Sequence, residues 1–301
     1  MSKRRRIGRN VQGVILLDKP SGISSNAALQ EVKYLFQARK AGHTGSLDSL
    51  ATGLLPICLG EATKISQFLL DADKRYVAEC QLGVKTTTGD SEGEIIETRA
   101  IEGIDRQLID STVKKFIGEI SQVPPMYSAL KYQGQPLYKL ARQGKTIERK
   151  SRAVTIFDIQ MLDFIDNKLT LQVHCSKGTY IRTLAEDIGE FLGCGATISA
   201  LHRIQVGGFC DMISLENLQN QAEQGTQALD NLLISIDKAL NHIQKKVFSD
   251  EEAHRLQQGQ TVCVSEHLKT GWIKLFRGDD LLGMGQVLPD GCIAPKRLFN
   301  F

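Results

Sequence analysis

The chain has 301 residues, with 37 Lys or Arg against 34 Asp or Glu and a net charge of +3 at pH 7. This length suits about two domains of roughly 100–200 residues each. No apolar run approaches the roughly 20 residues of a membrane-spanning helix, and the short run at residues 14–17 does not suit a secretory signal. We therefore expect a cytoplasmic protein that is not bound to a membrane. The small net charge does not by itself identify a nucleic-acid partner.

The cysteines and histidines do not indicate a disulfide framework or a metal centre. The seven cysteines are odd in number, and no pair has CxxC spacing. Because disulfide frameworks belong mainly to short secreted chains, we expect five or six of these cysteines to be small buried hydrophobic residues. The six histidines do not cluster with them at zinc-ligand spacing, so the sequence predicts no metal site.

The first predicted elements are a strand, a helix and an irregular segment. Residues 14–17 predict a short buried strand. Ser24 or Ser25 is a suitable N-cap for a helix with an apolar face, and Gly42 is a suitable end for it. Residues 42–53 then form the least regular part of this half.

Further along, the alternation of residues 76–82 predicts a strand, and residues 86–93 predict a loop. Apolar residues within positions 109–120 share one helical face, so we expect a helix there. Pro124 and Pro125 follow it and favour an extended chain.

The second half predicts two strands, at residues 154–161 and 169–175, and then a helix with its apolar face at residues 184–192. Tyr180 and Arg182 therefore fall where a strand passes into a helix, a place where ligands often bind.

The predicted secondary structure changes in the last part of the chain. Residues 211–245 look mostly helical, whereas short strand candidates alternate with glycine turns from Lys246 onward. We predict a domain of helices and strands for residues 1–245, followed by a small β module at 246–301.

Basic residues cluster in two places. The first is an N-terminal arm, and the second lies in residues 124–152, which we call the basic segment. Their members are Lys3, Arg4, Arg5, Arg6 and Arg9 in the arm, and Lys131, Lys139, Arg142, Lys145, Arg149, Lys150 and Arg152 in the basic segment. Tyr127, Tyr132 and Tyr138 lie among the second set, and such a mixture suits a phosphate backbone and unstacked bases. A solvated loop and an unstructured tail remain the alternative.

A single carboxylate lies in the irregular segment, where residues 42–53 read GHTGSLDSLATG. Glycine lets a backbone approach a ligand closely, and the neighbouring hydroxyl groups could fix the side chain of Asp48. These hydroxyls belong to Thr44, Ser46, Ser49 and Thr52. An ionised aspartate held in this way can act as a nucleophile or can stabilise positive charge. The alternative is an ordinary Asx turn, in which Asp48 bonds to its own backbone.

Several segments together resemble the TruB family of tRNA pseudouridine synthases. Residues 43–53 resemble that family's catalytic motif, with Ser46 and Ser49 where we would expect Thr and Pro. Three further segments match in order and spacing: GVILLDKPSG at 13–22, KRY at 74–76 and KGTYIR at 177–182. The resemblance covers the whole chain, including a PUA-like RNA-binding module at its C-terminus.

This resemblance implies an α+β pseudouridine-synthase fold with a mixed, mainly antiparallel sheet, and a small C-terminal β-barrel-like PUA domain. It implies no cofactor, a monomer, and isomerisation of uridine-55 in the tRNA T loop without a guide RNA. The implied roles are Asp48 as nucleophile, Tyr76 as the ring that stacks on the target base, and Arg182 as the partner that keeps Asp48 ionised. His43, Tyr180 and Leu201 are implied to line the nucleotide pocket, and Lys19 to support its wall.

Two other functions remain open on the sequence alone. A guide-RNA-dependent relative would share the catalytic motif, although the long basic segment favours a stand-alone enzyme. A non-catalytic tRNA-binding or tRNA-folding protein would keep the basic surfaces and would not need Asp48.

Overall fold

A computed structural model describes residues 8–301, so Lys3 and Arg4 to Arg6 of the basic arm lie outside the described residues. Residues 8–301 form eighteen strands and nine α-helices. The strands are β1 Gly13–Lys19, β2 Ala41–His43, β3 Thr52–Leu59, β4 Lys74–Leu82, β5 Val84–Thr86, β6 Ile95–Thr98, β7 Gly118–Gln122, β8 Lys131–Tyr132, β9 Gln135–Pro136, β10 Arg152–Ile165, β11 Lys168–Cys175, β12 Ala196–Val206, β13 Ile213–Ser214, β14 Lys245–Phe248, β15 Val262–Cys263, β16 Gly271–Arg277, β17 Asp280–Val287 and β18 Cys292–Leu298. The helices are α1 Ser25–Leu35, α2 Ser66–Asp71, α3 Arg106–Val113, α4 Leu137–Ala141, α5 Ile181–Phe191, α6 Leu215–Glu223, α7 Thr226–Asp230, α8 Ile236–Ala239 and α9 Asp250–Gln257.

The main sheet has nine strands, in the order β13-β1-β3-β12-β4-β11-β10-β7 with β2 added beside β3. Only the β1–β13 and β3–β12 pairs in it are parallel, which confirms the prediction of a mixed, mainly antiparallel sheet in an α+β fold. The alternation read from residues 169–175 is correct, because β11 buries every second side chain. No helix within residues 8–301 is both long enough and apolar enough to cross a bilayer.

Two helix boundaries differ from the sequence prediction. Ser24 does cap α1, since its side chain accepts from the amide of Ala27, but the helix ends at Leu35 and Gly42 lies in β2. The helix predicted over residues 109–120 ends at Val113. Gly118 has φ +106, which a helix does not tolerate, and β7 begins there. The apolar spacing of residues 117–120 was therefore mistaken for the continuation of a helix.

The segment 211–245 is less helical than predicted, because only the short helices α6, α7 and α8 occur in it. A second sheet, in the order β14-β16-β17-β18-β15, follows and contains the predicted strands. This module has a small core of its own around Phe248, Ile273 and Leu275. It also packs against the main sheet, because Met284 and Phe299 lie in one buried cluster with Val14 and Leu54. The boundary near residue 246 stays a prediction.

One expectation about the cysteines is wrong. Cys263 and Cys292 lie directly opposite each other on β15 and β18 and form a disulfide. Register between distant strands, which sequence spacing does not reveal, brings this pair together. Four of the remaining cysteines are buried, and Cys210 is exposed, so fewer than the expected five or six behave as buried hydrophobic residues.

Gly53 allows β3 to approach β12 closely. It has φ +100, and a Cβ atom at this position would lie 2.3 Å from the carbonyl oxygen of Arg203. Gly103 has φ +70 in an exposed turn, where an added Cβ would meet nothing within 4 Å. Gly53→Ala should therefore lower the free energy of unfolding by about 3 kcal/mol or more, whereas Gly103→Ala should cost about 1 kcal/mol of backbone strain alone. Urea unfolding of both variants measures this difference, and equal losses would contradict a close approach at Gly53.

Candidate active site

The loop that carries Asp48 joins β2 to β3 and is held by contacts to its backbone. The hydroxyl of Ser25 donates to the carbonyl of Leu47 at 3.0 Å and accepts from its amide at 2.7 Å. The amide of Gly22 donates to the carbonyl of Ser49 at 2.9 Å. These bonds come from the start of α1 and from the turn after β1. Residues 22–25 therefore support the loop that carries Asp48.

The loop's own hydroxyl groups do not fix the carboxylate as the sequence suggested. Thr44 bonds to the carbonyl of Pro56, and the hydroxyl of Thr52 lies 2.8 Å from Nδ1 of His202. Within residues 8–301 no hydroxyl from the loop hydrogen-bonds to the side chain of Asp48, and that side chain does not bond to its own backbone in an Asx turn. The side chain is 45% exposed and faces a cleft.

Arg182 contacts Asp48 from the first turn of α5. Its Nε lies 3.0 Å from Oδ2 of Asp48, and its side chain is only 6% exposed. Nη1 donates to the carbonyl of Thr88 at 2.8 Å, and Nη2 donates to the carbonyl of Tyr127 at 2.7 Å. The guanidinium thus holds together three loops that are distant in sequence.

Asp90 is a second carboxylate of this site, and the sequence reading missed it. Its Oδ2 lies 3.3 Å from Nη1 of Arg182, and its side chain is 5% exposed. It also accepts from the hydroxyl of Thr88 at 2.6 Å and from the amide of Glu92 at 3.2 Å. Residues 86–93 were read only as a loop, and a carboxylate there carries no signal until the fold places it beside Arg182.

Burial raises the pKa of Asp48 above its usual value, and the nearby charge of Arg182 opposes that rise. The pKa is raised on balance, although the carboxylate contacts solvent, because protein surrounds it on every side except the cleft. The sequence expectation that Arg182 keeps Asp48 ionised therefore describes only one of the opposing effects.

Two adjoining cavities meet at Asp48 and Arg182. The first, of about 280 Å³, is also lined by Tyr76, Tyr180 and Leu201. The second, of about 490 Å³, is lined by His43 instead. Strands β2, β4 and β12 and the start of α5 thus bring these predicted residues together around one carboxylate, with Tyr76 in the first cavity and His43 in the second.

The aromatic and imidazole side chains differ in their surroundings. Burial raises the pKa of Tyr76 and of Tyr180. The backbone of Tyr180 is fixed by Gln122, whose amide side chain accepts from its N–H at 3.0 Å. Burial, and after it the charge of Arg203, lowers the pKa of His43. Its Nδ1 is buried and has no hydrogen-bond partner among the described residues.

Lys19 lies behind the wall of the site. It is fully buried, and its Nζ donates to the carbonyls of Pro20 and Ile23, both at 2.8 Å, and lies 3.4 Å from the carbonyl of Ser49. Burial lowers its pKa to about 8. These contacts tie the turn after β1 to the loop of Asp48.

The basic segment has regular structure beside the second cavity. Strands β8 and β9 form a hairpin, and α4 follows with Leu137 and Leu140 buried. Tyr138 and Arg142 line the cavity, while Nη1 of Arg149 donates to the carbonyl of Pro124 at 3.1 Å. Arg9, the described member of the arm, forms an ion pair with Asp230 and donates to the carbonyl of Phe36.

Comparison with known proteins agrees with the motifs read from the sequence. Residues 33–181 match the family model described as "TruB family pseudouridylate synthase (N terminal domain)". Residues 182–241 match "tRNA pseudouridylate synthase B C-terminal domain", and residues 247–299 match "Pseudouridine synthase II TruB, C-terminal".

Similar curated proteins extend over the whole chain. One from Nitrosococcus oceani is 55% identical, covering 99% of this chain and 98% of its own length. Another, from Pseudomonas aeruginosa, is 50% identical over 100% of both chains. Both are named "tRNA pseudouridine synthase B".

Solved structures resemble the fold. "Crystal Structure of a Cbf5-Nop10-Gar1 Complex" contains a chain that is 28% identical with a TM-score of 0.72, covering 93% of this chain and 79% of that chain. The chain in "Structure of H/ACA RNP bound to a substrate RNA containing 2'-deoxyuridine" has a TM-score of 0.73 at 24% identity, over 96% of this chain and 85% of that one, and shows likeness of fold alone. The predicted pseudouridine-synthase fold with a PUA-like C-terminal module is confirmed. With motifs, fold and full-length relatives in agreement, the chain belongs to the TruB family of pseudouridine synthases.

Proposed function

We propose that this protein isomerises uridine-55 in the T loop of tRNA to pseudouridine, without a guide RNA and with Asp48 as its catalytic carboxylate. The observation that carries the proposal is the ion pair between Asp48 and Arg182 at the junction of two cavities. Relatives at 50–55% identity over nearly the whole chain are named for tRNA, which supports that substrate.

The target uridine leaves its stack and enters the first cavity. Unstacking costs a few kcal/mol, and stacking on Tyr76 together with contacts from Tyr180 and Leu201 offsets this cost. The second cavity, between His43 and the basic segment, receives the neighbouring part of the T loop. Substrates of this kind are recognised mainly by shape, splayed bases and phosphates.

The reaction breaks the N1–C1′ bond and forms a C5–C1′ bond, while C5 loses a proton and N1 ends with one. An ionised Asp48 assists the cleavage in one of three ways: by attack at C1′, by attack at C6 or by removing a proton at C2′. Arg182 orients the carboxylate through Oδ2, and we assign the reaction with the substrate to Oδ1. Tyr76, beside the carboxylate in the same cavity, is our candidate for the base that removes the C5 proton.

A guide-dependent function and a non-catalytic function make different predictions for one experiment. The purified protein, alone with an unmodified tRNA transcript, should form pseudouridine at position 55 only. A requirement for a guide RNA would favour the first alternative. Binding without turnover would favour the second.

Asp48→Asn should abolish turnover, because the substitution keeps the shape of the side chain and removes only its charge. The rate constant in single turnovers should fall by at least about 10⁴-fold, whereas the Kd for tRNA should change less than about threefold. Asp211→Asn, at an exposed carboxylate outside both cavities, is the matched control and should keep the wild-type rate. Measurable turnover by pure Asp48→Asn protein would remove Asp48 from the mechanism.

The same variant should make the folded state more stable at neutral pH. Because the pKa of Asp48 is raised in the folded state, its ionised form costs stability above that pKa. The stability contributed by protonation is fully present below the unfolded value of 3.8 and is lost as pH rises through the folded pKa. Asp48→Asn should therefore raise the free energy of unfolding at pH 7, by less than about 1 kcal/mol since the carboxylate is partly solvated, and the gain should vanish near pH 4. Urea unfolding at the two pH values measures it, and a decrease at pH 7 would mean that Arg182 outweighs burial.

The basic segment should supply phosphate contacts. Arg142, Lys145 and Lys150 are exposed, whereas Arg149 supports the segment through its bond to Pro124. Replacing the first three by Gln should weaken tRNA binding and reduce the slope of log K against log salt by about one unit for each phosphate that is no longer neutralised. The control is a second triple variant, in which Arg106, Lys114 and Lys115 are replaced by Gln. These residues lie on and just after α3. A salt slope reduced equally by both triple variants would show that only net charge matters.

A further inference from the structure

Arg203, on β12, is an unusual residue to find inside this fold. It is 1% exposed and is the first of the largest fully buried side chains. Within residues 8–301 no carboxylate lies close enough to form an ion pair with it. Burying a guanidinium without a countercharge is costly, and an apolar residue of similar size would fill the space more cheaply. The charge must therefore serve contacts that an apolar side chain cannot make.

Those contacts lie at the two ends of the loop that carries Asp48. Nε of Arg203 donates to the carbonyl of Leu54 at 2.6 Å, and Nη2 donates to the carbonyl of Gly45 at 3.1 Å. Gly45 comes before Asp48 and Leu54 comes after it, so one planar group spans the loop. The backbone of Arg203 also pairs with Gly53 in the short parallel contact between β12 and β3.

The same residue is placed against the aromatic side of the site. On its other edge, β12 is antiparallel to β4, and Arg203 is the register partner of Tyr76. The register shifts between Arg203 and Gln205, and such irregularities redirect side chains next to active sites. Arg203 lines the first cavity together with Asp48 and Tyr76. Its charge also opposes the rise that burial causes in the pKa of Tyr76.

We propose that Arg203 is a positioning residue for the isomerisation: its guanidinium holds both ends of the catalytic loop and so sets the carboxylate of Asp48 against Tyr76. This inference rests on the proposed function. Arg182 acts on the Asp48 side chain itself, whereas Arg203 acts on the backbone that carries it. The two arginines therefore fix different degrees of freedom of one carboxylate.

Arg203→Lys is the informative variant. It keeps the positive charge, but an ammonium group cannot reproduce the fork that reaches both carbonyls. The matched control is Arg99→Lys, at a guanidinium that joins Glu97 to Glu190 outside both cavities. Arg203→Met, which also removes the charge, completes the series if it folds.

The quantity to measure is the rate constant of a single turnover on unmodified tRNA transcript, with enzyme in saturating excess. Under these conditions the rate constant does not depend on the fraction of the enzyme that is folded. We expect Arg203→Lys to lower it by about 10- to 100-fold, with Arg203→Met lower still, while the Kd for tRNA changes less than about threefold. Arg99→Lys should keep the wild-type rate constant even where its melting temperature falls.

The outcomes separate this inference from the function on which it rests. An unchanged rate constant for Arg203→Lys overturns the positioning role, whatever the effect on stability. So does an effect confined to Kd, because Arg203 would then be a binding group for the substrate. If the wild-type protein gives no turnover on tRNA, the proposed function fails. If the wild-type protein is active and the Arg203→Lys variant is slow, the positioning role of Arg203 is supported.

Discussion

The site depends on how one guanidinium is coordinated. Arg182 reaches Asp48 through Nε, Asp90 and the carbonyl of Thr88 through Nη1, and the carbonyl of Tyr127 through Nη2. Its rigid, planar arrangement of donors fixes the relative position of all four groups, which a single point charge could not do. Three loops and the first turn of α5 thereby meet at one place. Without this contact, the carboxylate and the start of the basic segment would have no common anchor.

The two carboxylates around Arg182 differ in their surroundings. Asp90 is buried, and hydroxyl, amide and guanidinium groups all donate to it. Asp48 faces the cleft and meets Arg182 through a single oxygen. A carboxylate that is fully satisfied is a structural counterion, whereas one with a free oxygen at a cavity can react. Asp90 therefore has the surroundings of a counterion, and Asp48 has those of a reactive carboxylate, which agrees with the role we propose for it.

Sequence patterns gave correct results where the information is local. The alternation of β11, the Ser24 cap and the strand-to-helix junction at Tyr180 all depend on neighbours within a few residues. The loop of Asp48 was recognised because its glycines and hydroxyls form a compact motif, although the hydroxyls proved to bond elsewhere. Local patterns were misleading after α3, which ends at Val113 ahead of Gly118, and in residues 211–245, where only short helices occur.

Non-local contacts could not be read in this way. Asp90 and Arg203 become part of the site through strand register and loop packing, and the residues around them have no distinctive composition. The disulfide between Cys263 and Cys292 likewise depends on which strands are neighbours. Similarly, the packing of Met284 and Phe299 against the main sheet is a contact between distant parts of the chain that no local pattern indicates.

The buried cations around the first cavity share one further property. Arg203, Lys19 and Lys74 are almost fully buried, and each donates to backbone carbonyls. Burial is expensive enough to lower the pKa of both lysines to about 8. Carbonyl dipoles solvate these charges without cancelling them, whereas carboxylates would have cancelled them. The wall beneath the cleft therefore contains buried positive charge, which favours an anionic polymer over a cationic one at its mouth. The carboxylate of Asp48 is exposed to the cleft and would repel the phosphates of RNA, and the cations buried behind the cleft oppose that repulsion.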